Sequence, residues 1–136
     1  MAERGGAVVG CVRPLALIAD DEPQVRRLVA DILTEVGFQT VTASDGVELV
    51  ELADRHRPTL IVVDVMMPRM DGYTALARLR GRQATAEIPA IVLTGRVDRT
   101  YELLSQGMGV AAHVTKPFSA LELAEAARRV VPEVGA

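Results

Sequence analysis

Cysteine occurs once in the chain, at Cys11, and tryptophan not at all. A single cysteine excludes an internal disulfide and a cysteine-based zinc cluster, and it fits a reducing cytosol. Aromatic residues are limited to Phe38, Tyr73, Tyr101 and Phe118, too few for a base-stacking platform. Nor is there a dominant charge: the net charge is -3, with no block of one sign. Neither direct nucleic-acid binding nor a membrane surface is therefore indicated. No apolar run approaches the ~20 residues needed to span a bilayer. "VVGC", residues 8–11, resembles a lipoprotein cleavage box. A signal peptide, however, needs roughly 7–15 apolar residues before the cut. Only Gly5, Gly6 and Ala7 stand there, and Arg13 follows at once. Residues 1–13 are read as a flexible leader and the protein as cytoplasmic.

What the chain does have is material for one core. Of its 136 residues, 49% are hydrophobic and 24% charged, the balance of a globular domain and not of a disordered segment. Short apolar runs alternate with helical patterns. "LALIA" (15–19), "QTVTA" (39–43), "LIVVD" (60–64), "AIVLT" (90–94) and "AAHVT" (111–115) read as strands. After the first, Pro23 can open a helix, where its missing N–H costs nothing. Val25, Leu28, Val29, Ile32, Leu33 and Val36 then recur on one helical face, and Gly37 stops it. Further helices are expected at 46–56, with Ser44 or Asp45 as cap, at 73–82 with Leu76 and Leu79 inward, at 98–107, and at 119–131. Five strand–helix units in strict alternation predict a doubly wound parallel sheet with helices on both faces. The expected strand order is the flavodoxin-like 2-1-3-4-5. Ligands of such folds lie beyond the carboxyl ends of the strands.

Those ends carry Asp20, Asp21 and Glu22 after strand one, Asp64 at strand three, Thr94 at strand four, and Thr115, Lys116 and Pro117 at strand five. Taken singly, each has an ordinary explanation. An aspartate at a strand end often caps a helix or makes a turn, which is the reading preferred for Asp45 and Asp71. Together they suggest more. Clustered carboxylates resist ionising side by side, and a hard divalent cation relieves them. Mg²⁺ (or Mn²⁺) commonly joins one or two carboxylates to a phosphate. Lys116 suits a phosphoryl oxygen as a point charge, and Thr94 can donate one hydrogen bond to another. The set reads as a site for a phosphoryl group beside a metal.

The same segments resemble bacterial response-regulator receiver domains of the single-domain type. "LIADDEPQVRRLV" is similar to their first strand and acidic pair, and "LIVVDVMMPRMDGY" to their phosphoacceptor strand and loop. "IVLTG" and "HVTKPF" are similar to their switch-threonine and lysine–proline segments. The likeness is collinear over residues 14–134. It implies that Asp64 is the phosphoacceptor. It also implies that Asp21 holds Mg²⁺ directly, Asp20 holds it through water, and the Met66 backbone carbonyl is a further ligand. By the same resemblance Lys116 would pair with the phosphoryl group, Thr94 would bind it after transfer, and His113 would be the switch residue. His113 departs from the family's usual Tyr or Phe. Ala111 and Ala112 depart from the acidic residues of many two-domain regulators, which weakens the case for their acidic–basic dimer.

The function implied is a phosphorylation-dependent switch. It would take phosphoryl from a phosphohistidine on a histidine kinase or phosphotransfer protein, then dock with a partner or pass the group along a relay. Apart from its own phosphorylation and dephosphorylation it would catalyse nothing. Its output face would be residues 98–131, and Met66 and Arg96 would flank the attacking water. A receiver module cut from, or acting beside, a larger regulator or hybrid kinase is the alternative. Two other classes fit less well. An aspartyl-nucleophile phosphatase commonly carries a second acid two residues after the nucleophile, where Met66 stands. A nucleotide-binding module would want a glycine-rich loop where "ADDEPQ" stands.

Overall fold

A computed structural model of the chain describes residues 13–95 and 108–134. The leader up to residue 12, the helix expected at 98–107, and Arg96 lie outside the described residues. The elements in order are β1 (Leu15–Ala19), α1 (Pro23–Val36), β2 (Gln39–Ala43), α2 (Gly46–His56), β3 (Leu60–Asp64), α3 (Gly72–Arg80), β4 (Ala90–Thr94), β5 (Val110–Thr115) and α4 (Ala120–Val130). All strand pairings are parallel and the spatial order is β2-β1-β3-β4-β5, the order expected from the sequence. Among the described residues no helix is long and apolar enough to cross a membrane.

Alternation along the strands divides the core in two. Ala16, Ile18, Leu60, Val62, Ile91 and Leu93 join α1 and α4 on one face. Leu17, Ala19, Ile61, Val63, Ala90 and Val92 join α2 and α3 on the other. The central strands are buried on both sides, which is why "LIVV" and "AIVL" are apolar throughout and do not alternate with polar residues. Fully burying one such side chain stabilises by about 1.5–3 kcal/mol, so the middle of the sheet is its most secure part.

Local chemistry sets the helix ends. Pro23 occupies the first turn of α1, and Gly37 closes it at φ 127°, where a side chain would be strained. Asp45 and Asp71 cap α2 and α3 through the amides of Glu48 and Thr74, as their spacing suggested. Ser119 and Glu122 form a reciprocal capping box at the start of α4.

Three boundaries and one side chain differ from expectation. Helix α3 begins at Gly72 and ends at Arg80, short of 82, and Gly81 takes up the last carbonyls. Strand β5 begins one residue early, at Val110. Its pairing with β4 skips Ala111 between Ala90↔Val110 and Ile91↔Ala112, as a β-bulge does. Helix α4 runs 120–130, with Ser119 as its cap and not its first turn. Leu28, expected on the buried face of α1, is 48% exposed. At 100° per residue it lies roughly 90° from the centre of the stripe formed by Val29, Ile32, Leu33 and Val36.

Gly72 is where the fold presses on the strand end. Its amide donates to the Val65 carbonyl at 2.8 Å. A Cβ there would run into the Asp64 carbonyl oxygen and lie 3.1 Å from the Val63 Cγ2. Gly72→Ala should destabilise the protein by about 1–3 kcal/mol, read as a lower denaturant midpoint. An unchanged midpoint would mean that α3 can move off β3 freely.

Candidate functional site

β1 and β3 are neighbours, and their carboxyl ends deliver Asp20 and Asp64 to one spot. Asp20 has no exposed surface, and Asp64 is 6% exposed. The Asp20 position is fixed at every polar atom. Its backbone amide donates to the Ala43 carbonyl at 3.2 Å, and its carbonyl accepts from the Arg26 guanidinium at 2.7 Å. One carboxylate oxygen accepts from the Glu22 amide at 2.9 Å. The other accepts from the Lys116 ammonium at 3.1 Å. Asp21 is exposed and takes no hydrogen bond among the described residues. One oxygen from each of Asp20, Asp21 and Asp64 falls within a 4.8 Å group.

Lys116 stands among these acids, 3.1 Å from Asp20, 3.4 Å from Asp64 and 3.9 Å from Glu22. Its amide donates to the Thr94 carbonyl at 2.7 Å, tying the end of β5 to that of β4. Thr94 is buried at its strand end. His113 lies opposite Val92 in β5 and is exposed.

The electrostatics are those of crowding. Burial, and then the charge of Asp20, push the Asp64 carboxyl above its ordinary pKa, and Lys116 only partly opposes them. For Lys116, burial alone would lower the ammonium. The hydrogen bond and charge of Asp20, then Asp64, outweigh burial and hold it above its usual range. One cation thus serves two buried acids, while the exposed Asp21 adds further repulsion. A divalent cation fits this donor set: three hard oxygen ligands are close together, one is solvent-facing, and their mutual charge is incompletely neutralised.

After β3 the chain makes a compact loop. The Val65 amide donates to Leu93 at 3.2 Å, Met70 to Pro68 at 2.7 Å, and Gly72 back to Val65 at 2.8 Å. Asp71 receives both the amide and the hydroxyl of Thr74, at 2.9 and 2.7 Å. Met67 packs on the α2/α3 core. The Met66 side chain is 71% exposed, so it does not act as apolar cover.

Sequence reasoning assembled Asp20, Asp21, Asp64, Thr94 and Lys116 at one sheet edge. It missed Arg26, whose only signal is its place one turn into α1. It also missed Arg69, which donates two hydrogen bonds to Asp45 across 24 residues.

The raised Asp64 pKa has a definite sign in stability. The fold favours the protonated carboxyl. That contribution is complete below the unfolded carboxylate range and is lost as pH rises through the folded value. Ionised Asp64 therefore costs stability at neutral pH without metal. Asp64→Asn keeps the shape and removes the charge, so in chelator at pH 7 it should melt a few degrees above the parent. The gap should close as pH falls below about 4. Equal melting at pH 7 would show that Lys116 fully compensates the burial.

Residues 16–128 match the response regulator receiver domain family. The chain is 38% identical over 118 residues to the probable transcriptional regulator ycf27 of Galdieria sulphuraria, covering 87% of this chain and 45% of that protein. It is 39% identical over 111 residues to hybrid signal transduction histidine kinase D of Dictyostelium discoideum, covering 82% of this chain and 7% of that one. Its fold matches Vibrio cholerae chemotaxis protein CheY4 with a TM-score of 0.83 at 27% identity, covering 88% of this chain and 99% of that structure. The chain spans less than half the length of the first two of these relatives. With the acidic cluster at the expected strand ends and this match over most of its length, the chain belongs to the response regulator receiver domains.

Proposed function

We propose that this receiver domain is switched by phosphorylation of Asp64 in the presence of Mg²⁺, with Mn²⁺ as a substitute. The observation that carries the proposal is the buried Asp64 carboxylate beside Lys116 and two further aspartates. Asp21, Asp64 and the Met66 carbonyl would hold the cation directly, and Asp20 would do so through water. Two reasons favour this division. Both Asp20 oxygens already have donors, whereas Asp21 is open to solvent. When bound, the cation supplies positive charge against the phosphoryl oxygens and the nucleophile.

An ionised Asp64 oxygen attacks phosphorus on the phosphohistidine of a histidine kinase or phosphotransfer protein. The P–N bond breaks as the P–O bond forms, and the imidazole leaves with the electron pair. Transfer of this kind needs mainly positioning and charge stabilisation. Asp64 is positioned by its strand, and Lys116 is near enough to move from Asp20 to a phosphoryl oxygen. Thr94 would donate its hydroxyl to a second oxygen. His113 would follow on β5; of the output face expected at residues 98–131, the described part, 108–131, carries β5 and α4 and would be read by a partner. Water then hydrolyses the acyl phosphate. On this reading the domain acts on no other substrate, and it works in the cytoplasm beside its phosphoryl donor. Because the relatives include a hybrid kinase, a receiver serving within or beside a larger protein remains the second reading.

Incubation with Mg²⁺ and acetyl phosphate should add one phosphoryl mass to the intact chain. Chelator should abolish the gain, Asp64→Asn should show none, and Asp21→Asn should lower it at least about tenfold. A gain that survives in Asp64→Asn would overturn the assignment.

A further inference from the structure

The loop after β3 has an anchor that neither the acidic cluster nor the helix caps account for. Arg69 stands at its apex with φ 66°, a conformation costly for a side chain of this kind. From there its Nε and one terminal nitrogen donate to a single Asp45 oxygen, at 3.1 and 2.9 Å. The other Asp45 oxygen accepts from the Glu48 amide at 2.8 Å and starts α2. Asp45 is thus a cap and an ion-pair partner at once, with its side chain 12% exposed. The hydrogen bond from Glu48 and then, against burial, the Arg69 contact hold its carboxyl below the ordinary range. Beside this pair the contact is close. A Cβ on Gly46 would collide with the Met70 carbonyl oxygen, and its place would lie 2.7 Å from the Met70 Cβ. The start of α2 therefore grips the loop by charge at Arg69 and by shape at Met70. Met66 lies between this grip and the end of β3.

We propose that Asp45 and Arg69 are a positioning pair, which holds the 65–71 loop so that the Met66 carbonyl is presented to a divalent cation neither residue touches. The inference rests on the metal reading above and extends it to residues outside the acidic cluster. A backbone carbonyl has no rotamer of its own. Only the path of the loop can aim it. Hydrogen bonds within the loop fix its two ends, at Val65–Gly72 and at Asp71–Thr74. Among the described residues, Met67 and Met70 hold the loop by packing, and the Arg69–Asp45 pair is the polar contact that ties its apex to another element. With the pair gone the carbonyl would sample several directions, and the cation would have to order it on binding.

The substitutions separate positioning from simple stability. Arg69→Asn suits the test because asparagine accepts positive φ yet cannot reach Asp45. Asp45→Asn keeps a good helix cap and removes the charge. Mg²⁺ is titrated by calorimetry into the parent, each single variant, Arg69→Lys and the double variant, on the full chain. Denaturant midpoints are recorded in chelator. Each single variant should weaken Mg²⁺ binding by about two- to five-fold, the range for a partly exposed ion pair. The double variant should bind no worse than the weaker single one, because both remove the same contact. Arg69→Lys should recover part of the loss. The midpoint of Arg69→Asn should stay at or above that of the parent. Singles that bind like the parent would overturn the pair's role, as would losses that multiply in the double or merely track lost stability. A parent that binds no Mg²⁺ would fail differently: every titration would be flat, and the metal reading itself would fall with the inference.

Discussion

Like charges brought together out of water are the constraint on which this structure turns. Asp20 is fully buried and Asp64 nearly so, with Asp21 at the rim. Such a cluster would disperse if its members could move. Asp20 is held by hydrogen bonds at its amide, its carbonyl and both carboxylate oxygens. Asp64 closes a strand whose four preceding residues have no exposed surface. Sheet cohesion thus pays for local repulsion, and the repulsion makes the site receptive to a cation.

The strand order explains why the cluster stands where it does. Helix α1 leaves β1 toward the face it shares with α4, whereas α3 leaves β3 toward the face it shares with α2. The two chains part in opposite directions above adjacent strands, and a crevice opens between them. Asp20, Asp21 and Asp64 are the residues at that parting. Lys116 arrives from the far side of β4 because the Thr94 carbonyl accepts its amide. Four strand ends therefore deliver the residues of this cluster, and no single loop could do so alone.

The fold was legible because its signals are local. Five apolar runs of strand length, Pro23, Gly37, and the Asp45 and Asp71 caps each act within a few residues of themselves. The acids and Lys116 became legible once the alternation put their strand ends on one edge. Arg69 and Arg80 were not legible. Arg69 looks like a loop cation, and its partner lies 24 residues away. Arg80 looks like the exposed last residue of α3. Its guanidinium instead donates to the carbonyls of Thr85, Ala86, Ile88, Met108 and Gly109. A sequence pattern marks which face of a helix is apolar, but not which carbonyls a long cation will find. Leu28 fails for the opposite reason. It is apolar and follows the spacing, yet it lies at the margin of the stripe formed by Val29, Ile32, Leu33 and Val36 and stays 48% exposed.

Arg80 and Lys116 show two ways of carrying a positive charge into the fold. Arg80 is met by carbonyl dipoles, which satisfy its five N–H donors but bring no net charge, so burial lowers its pKa. It can stay where it is indefinitely, because a guanidinium remains charged under any ordinary condition. Lys116 is met by carboxylates, and its ammonium is a compact charge that can change partners. Asp20 and Asp64 lie within 0.3 Å of each other in their distance from it. Neither contact is bidentate, so little geometry is lost when one is exchanged for another. A phosphoryl group on Asp64 would bring more negative charge than the carboxylate it replaces. The ammonium would then have reason to shift toward it. The fixed cation thus staples the end of the sheet opposite the acids, and the exchangeable one stands beside Asp64, where the proposed phosphoryl group would change the charge.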